Sequence, residues 1–179
     1  MMLSLRGGGA AQRILIVDDD VAIHRIVEKV LTVGLGGAEP EGLVRVVDDA
    51  PKPYALSFAS NGQEAVMLAE RAQRLGTPFG LALVDMRMPG WDGIETVTRL
   101  YRIEPTLQVA LCSAYMDYSW QEILERVQRP GLRQLRKPWT GSQMLATVHE
   151  LSRRARDGGT GAMSAYPQSR APQKPSPGR

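Results

Sequence analysis

Four short stretches of this 179-residue chain end in side chains that can do chemistry together. RILIV at 13–17 runs into Asp18, Asp19 and Asp20, and LALV at 81–84 runs into Asp85. An apolar stretch at 107–112 runs into Ser113, and 132–136 runs into Lys137-Pro138. Carboxylates gathered in one place raise one another's pKa unless a cation joins them. Oxygen-only donors suit a hard cation such as Mg²⁺, which binds through one or two carboxylates together with phosphate oxygens and water. In that setting Asp85 can act as a nucleophile and form an acyl phosphate. Lys137 then supplies a point charge, and Ser113 a hydroxyl, to the remaining phosphoryl oxygens. The sequence has no Gly-rich phosphate loop, so a nucleotide is not indicated.

Those residues meet only if the chain folds so that the ends converge. Short β-branched runs at 13–17, 56–59, 81–84 and 107–112, with a less apolar one at 132–136, read as buried parallel strands. Between them, apolar residues recur at spacings of three and four over 20–33, 61–75, 92–103, 118–127 and 142–156, which predicts helices. Asp20 and Asp92 read as N-caps, and Asn61-Gly62 as a turn-like helix start. Five strands alternating with five helices give an α/β fold, a parallel sheet with helices on both faces. Right-handed crossovers favour the flavodoxin-like strand order 2-1-3-4-5, whose crevice lies at the carboxyl ends of the strands.

Two segments stand outside that pattern. Residues 34–53 (GLGGAEPEGLVRVVDDAPKP) read as a long loop insertion, with 43–47 able to add a short strand. Residues 157–179, rich in Gly, Pro, Ser and Gln, read as a disordered basic tail. Residues 1–12 read as a flexible N-terminal segment, which leaves 13–156 as the folded domain. The formal net charge of +3 invites a nucleic-acid reading. Its distribution argues against one: residues 1–151 carry sixteen Lys/Arg against eighteen Asp/Glu, and the excess of basic residues sits beyond Ser152. No run of eighteen apolar residues and no signal-peptide pattern occurs, so the expected location is cytoplasmic, with no membrane contact. The single cysteine, Cys112, rules out an internal disulfide and reads as a core residue on a buried strand.

ILIVDDD at 14–20, LVDMRMPGWDG at 83–93, LCSA at 111–114 and RKPW at 136–139 together resemble the response-regulator receiver domains of two-component signalling. The resemblance spans about residues 13–151, with each motif at a strand end. It implies that Asp85 is the phosphoacceptor. It implies that Asp19 holds Mg²⁺ directly, Asp18 does so through water, and the backbone carbonyl of Arg87 completes the protein ligands. Ser113 takes the place of the family's switch hydroxyl and Lys137 that of its lysine. Pro138 follows that lysine, often through a cis bond, and Met88-Pro89-Gly90 with Gly93 form the turn after the acceptor. The implied partners are a histidine kinase or histidine phosphotransfer protein as donor and a downstream protein target. Nucleic acid is not expected. The chain reads as a stand-alone signalling module rather than an enzyme.

Gln134 stands where many receivers have an aromatic residue three positions before the lysine, so the usual aromatic–hydroxyl coupling is not expected in its ordinary form. The bulky Arg87 and Tyr115, two past the acceptor and two past the serine, imply slowed attack of water and a long-lived phosphoryl state. Gln134 also leaves room for an alternative, a phosphorylation-independent receiver-like scaffold. An aspartate-nucleophile phosphatase is disfavoured because that chemistry wants a carboxylate shortly after the nucleophile, where Arg87 stands. Trp139 reads equally as an interface anchor or as packing.

Overall fold

The computed structural model describes residues 11–33, 54–113, 118–129 and 131–157. Its strands are β1 (Gln12–Val17), β2 (Tyr54–Ala59), β3 (Leu81–Asp85), β4 (Gln108–Ser113) and β5 (Arg133–Arg136). Its helices are α1 (Val21–Val33), α2 (Gly62–Arg74), α3 (Gly93–Ile103), α4 (Trp120–Val127) and α5 (Gly141–Arg156). The strands form one parallel sheet in the order β2-β1-β3-β4-β5. This is the flavodoxin-like α/β architecture that the alternation of periods predicts. The loop expected at 34–53, the possible strand at 43–47 and the tail beyond Asp157 lie outside the described residues.

Side chains alternate across each strand, so the sheet carries two separate cores. Leu15, Val17, Ala82, Val84, Val109 and Leu111 face one core, with α2, α3 and α4 packed over it. Ile14, Ile16, Leu81, Leu83, Ala110 and Cys112 face the other, which α1 and α5 cover. All five residues of β3 are buried. That is why its sequence shows no polar alternation, as expected for a central parallel strand.

Element boundaries differ from the sequence expectation by one or two residues, each for a local reason. The ladder pairs Gln12 with Tyr54, so β1 and β2 begin one and two residues earlier than their apolar runs, and Gln12 belongs to the sheet rather than to a flexible lead. Helix α4 starts at Trp120 rather than 118 because Ser119 and Glu122 close a capping box. Thr140 and Gln143 do the same at the start of α5. Asn61 and Asp92 accept the N–H groups of Glu64 and Glu95 at 2.9 and 2.8 Å. Asp20 accepts from Ala22 at 2.8 Å, the cap expected for α1.

Gly93, the first residue of α3, lies against the end of β3. Its N–H donates to the Met86 carbonyl at 2.9 Å. A Cβ there would sit 2.6 Å from the Asp85 carbonyl oxygen and 2.8 Å from the Met86 Cα, both main-chain atoms that cannot rotate away. Alanine is the better helix former by about 1 kcal/mol, yet Gly93→Ala is expected to destabilise the fold by about 2–3 kcal/mol through overpacking. Urea unfolding checks this. A lowered midpoint at unchanged slope is the expected result, and an unchanged or raised midpoint would contradict the close approach.

Candidate functional site

The parallel sheet delivers all the candidate residues to one end. Asp18 follows the last residue of β1, Asp85 and Ser113 close β3 and β4, and Lys137 follows β5. Backbone bonds continue the ladder past the strand ends and fix their relative heights. Asp18 donates to the Ala59 carbonyl at 3.1 Å, Met86 to that of Cys112 at 2.7 Å and Lys137 to that of Ser113 at 2.7 Å. The Lys137–Pro138 peptide is cis, the form the resemblance implies.

The Lys137 ammonium is shared between two carboxylates. Its Nζ donates to Asp18 Oδ2 at 2.7 Å and lies 2.7 Å from Asp85 Oδ1. The second Asp85 oxygen accepts the Arg87 N–H at 3.0 Å, and Asp18 Oδ1 accepts the Asp20 N–H at 3.0 Å. Asp18 and Asp85 are 4% and 7% exposed and Ser113 is 2% exposed, whereas Asp19 is open to solvent. Arg87 extends an exposed side chain from the loop after β3, and Gln134 is half-buried within β5. Tyr115 lies outside the described residues.

Burial is the largest influence on Asp85 and pushes its carboxyl above the ordinary value of 3.8. The hydrogen bond and charge of Lys137 oppose that shift without cancelling it, and the neighbouring Asp18 charge adds to it. Burial alone would lower the Lys137 ammonium. The hydrogen bonds and charges of Asp18 and Asp85 outweigh it and hold the ammonium above its usual 10.5. Burial also drives the Cys112 thiol up to about 12, so this free cysteine stays protonated and inert, as its core reading implies.

Asp18, Asp19 and Asp85 each offer one oxygen, and these three atoms lie within 4.8 Å of one another. One ammonium cannot neutralise three carboxylates, and the donors are all hard oxygens. The set therefore fits a divalent cation of the Mg²⁺ type. Asp18 stands out more than the sequence indicates: it is the buried member of the acidic pair and the one bonded to Lys137. Trp139 packs half-buried against the core shared with α1 and α5, which favours the packing reading over an interface anchor.

The model of the response regulator receiver domain matches residues 40–149. The chain belongs to that family, the receiving modules of two-component regulatory systems. The match begins after β1 and α1, so Asp18 and Asp19 enter the site through geometry rather than through the matched range. A response regulator receiver protein of Anaeromyxobacter sp. (strain Fw109-5) is 36% identical over 92 residues, 51% of this chain and 34% of the relative. The transcriptional regulatory protein ZraR of Klebsiella oxytoca is 28% identical over 137 residues, 76% of this chain and 25% of the relative. The chain thus spans a quarter to about a third of the length of these curated relatives. Among solved structures, a CheY-like receiver domain protein from Methanospirillum hungatei JF-1 superposes with a TM-score of 0.63 at 21% identity, covering 83% of this chain and all of that one. A chain of the CheX–CheY–BeF3–Mg²⁺ complex from Borrelia burgdorferi gives 0.57 at 18%, covering 79% and 89%. At such identities the likeness concerns the fold. Among the described residues no helix is long and apolar enough to cross a membrane.

Proposed function

We propose that this receiver domain accepts a phosphoryl group on Asp85 from a phosphohistidine of a histidine kinase or histidine phosphotransfer protein, and passes the signal on through protein–protein contacts. The observation that carries the reading is the convergence of Asp18 and Asp85 on the single ammonium of Lys137, 2.7 Å from each. In the transfer, an Asp85 carboxylate oxygen forms a bond to phosphorus while the phosphorus–nitrogen bond breaks. The imidazole leaves with the electron pair of that bond and takes up a proton. Lys137, already beside the attacking oxygen, balances charge that grows on the phosphoryl oxygens, and Ser113 offers its hydroxyl from the neighbouring strand end. The main-chain N–H of Arg87 fixes the other carboxylate oxygen, so the nucleophile is oriented before the donor arrives.

Asp18, Asp19, Asp85 and the carbonyl of Arg87 would hold Mg²⁺, which when bound offsets the negative charge of the incoming group. The Borrelia complex, which contains Mg²⁺ and BeF3 with a chain of the same fold, supports this choice. A cytoplasmic location is part of the proposal. A domain that receives a phosphoryl group and passes the signal on by contact acts as a signalling module, and the proposal places this chain there rather than among enzymes.

Intact-protein mass after incubation with acetyl phosphate tests the proposal. The expected result is a single phosphoryl adduct that forms with Mg²⁺ and not with a chelator. No adduct in folded, Mg²⁺-bound protein would overturn it in favour of the phosphorylation-independent scaffold. The same samples, followed after donor removal, read the lifetime. With the bulky Arg87 two residues past the acceptor and Tyr115 two past Ser113 in the sequence, a half-life of minutes or longer is expected, and one of seconds would refute the slowed attack of water.

A further inference from the structure

We propose that a groove at the opposite end of the sheet binds a small amphipathic anion, an apolar body bearing one carboxylate or phosphate. The groove, about 480 Å³, lies between the C-terminal half of α2 and the start of β1 and β2. Its size falls within the range of small-molecule sites.

Small side chains create the space. Ser57 pairs with Leu15, and Ala59 with Val17, so these β2 residues and Ala55 point to the face that α2 covers. Ala55 is exposed and Ser57 half-buried, and neither fills the gap beneath the helix. The apolar wall comes from Leu68, Phe79 and Leu75, the last 66% exposed. A leucine that open at the rim of a concavity is apolar surface without a partner among the described residues.

Beside the hydroxyls of Ser57 and Thr77, the charged groups that line the groove are all of one sign. Arg13 and Arg71 both line the groove, and no carboxylate does among the described residues. Arg13 is held in place: its Nη1 donates to the Thr77 carbonyl and to Thr77 Oγ1, and its guanidinium lies 4.5 Å over the Phe79 ring. Both bonds use one nitrogen, and the other guanidinium donors make none among the described residues. Arg71 makes no ion pair among the described residues, whereas Arg74, one turn on, is paired with Glu70. Two guanidinium groups, one of them already oriented, beside an apolar wall suit a carboxylate or phosphate attached to a hydrophobic body.

The groove is remote from Asp85. Arg13 and Asp18 sit at opposite ends of β1, about 16 Å apart at strand rise, roughly two screening lengths at physiological salt. Occupancy therefore does not depend on phosphoryl uptake, and the failure of either proposal leaves the other standing.

Amide-resolved NMR of the full chain with sodium octanoate tests this site, with octanol as the neutral probe and inorganic phosphate as the anion without an apolar body. Octanoate is expected to shift the amides of Ser57, Thr77 and Phe79 saturably, with half-saturation below about 5 mM. Octanol and phosphate should each bind at least about fivefold more weakly. Arg71→Gln, a change at an exposed position, should weaken octanoate about fivefold and leave octanol unchanged. Ser57→Leu, which fills the groove, should abolish the shifts. Absence of saturable shifts there, equal binding of octanol or phosphate, or indifference to Arg71→Gln would overturn the proposal.

Discussion

Asp85→Asn is expected to abolish phosphoryl uptake completely while raising the thermal midpoint of the metal-free protein. The first effect follows from replacing the nucleophilic carboxylate by an amide that forms no acyl phosphate. The second follows from where the carboxylate sits. Burial, reinforced by the Asp18 charge, lifts its folded-state pKa above 3.8 in spite of Lys137. A carboxyl raised in this way contributes stability that is fully present below its unfolded value and is lost as pH rises through the folded value. At pH 7.5 the ionised group is a net cost, which asparagine removes. In chelator, the variant should melt above the native protein at pH 7.5, and the gap should close as pH falls below about 4. Uptake by the variant, or a lower midpoint at neutral pH, would contradict the assignment or its electrostatics. A gain in stability at the loss of function is the mark of a strained functional group rather than a structural one.

Lys137→Met has the opposite sign. Among the described residues, Lys137 is the one cation paired with both Asp18 and Asp85, and its side chain is mostly buried. A raised ammonium pKa means that its stabilising contribution is fully present below 10.5 and is lost only as pH rises through the folded value. Removing one partner from such a buried cluster typically costs about 3–5 kcal/mol. For a domain of this size that corresponds to a fall of about 10 °C in Tm. Mg²⁺ should then raise the midpoint of the variant more than that of the native protein, because the metal replaces a missing charge instead of adding to one present. The double variant with Asp85→Asn should recover part of the loss, a non-additivity expected of groups in direct contact. A Lys137→Met midpoint within a degree or two of native would show that the carboxylates do not need the ammonium.

The fold was legible in the sequence because both of its periods are clean. The runs 13–17 and 81–84 are short, continuous and apolar, as parallel strands buried on both faces must be. Asn61 and Asp92 announce their helices as side-chain acceptors three residues before the N–H groups that they cap. The convergence of the candidate residues was legible too, since each falls at or just past a strand end. Which partner each one takes was not. Asp18 and Asp19 are adjacent and chemically alike, and only the turn after β1 decides that Asp18 goes inward to Lys137 while Asp19 stays in solvent. The role of Gly93 rests on a main-chain approach between elements. The α2 groove rests on what Ala55 and Ser57 fail to fill, and a missing volume leaves no pattern in a one-dimensional string.

The capping side chains have a wider consequence. In this winding every helix begins beside the carboxyl end of a strand, so α1 to α5 all start on the side of the sheet that holds the acidic cluster. Each contributes the positive end of its peptide dipoles to that side. Asp20, Asn61, Asp92, Ser119 and Thr140 each occupy an amide at one of those starts. The scaffold therefore offers a positive background potential, with an amide at each helix start already taken by a side chain. That background is shared by the whole end of the sheet, whereas the Lys137 ammonium is a local positive charge set between Asp18 and Asp85.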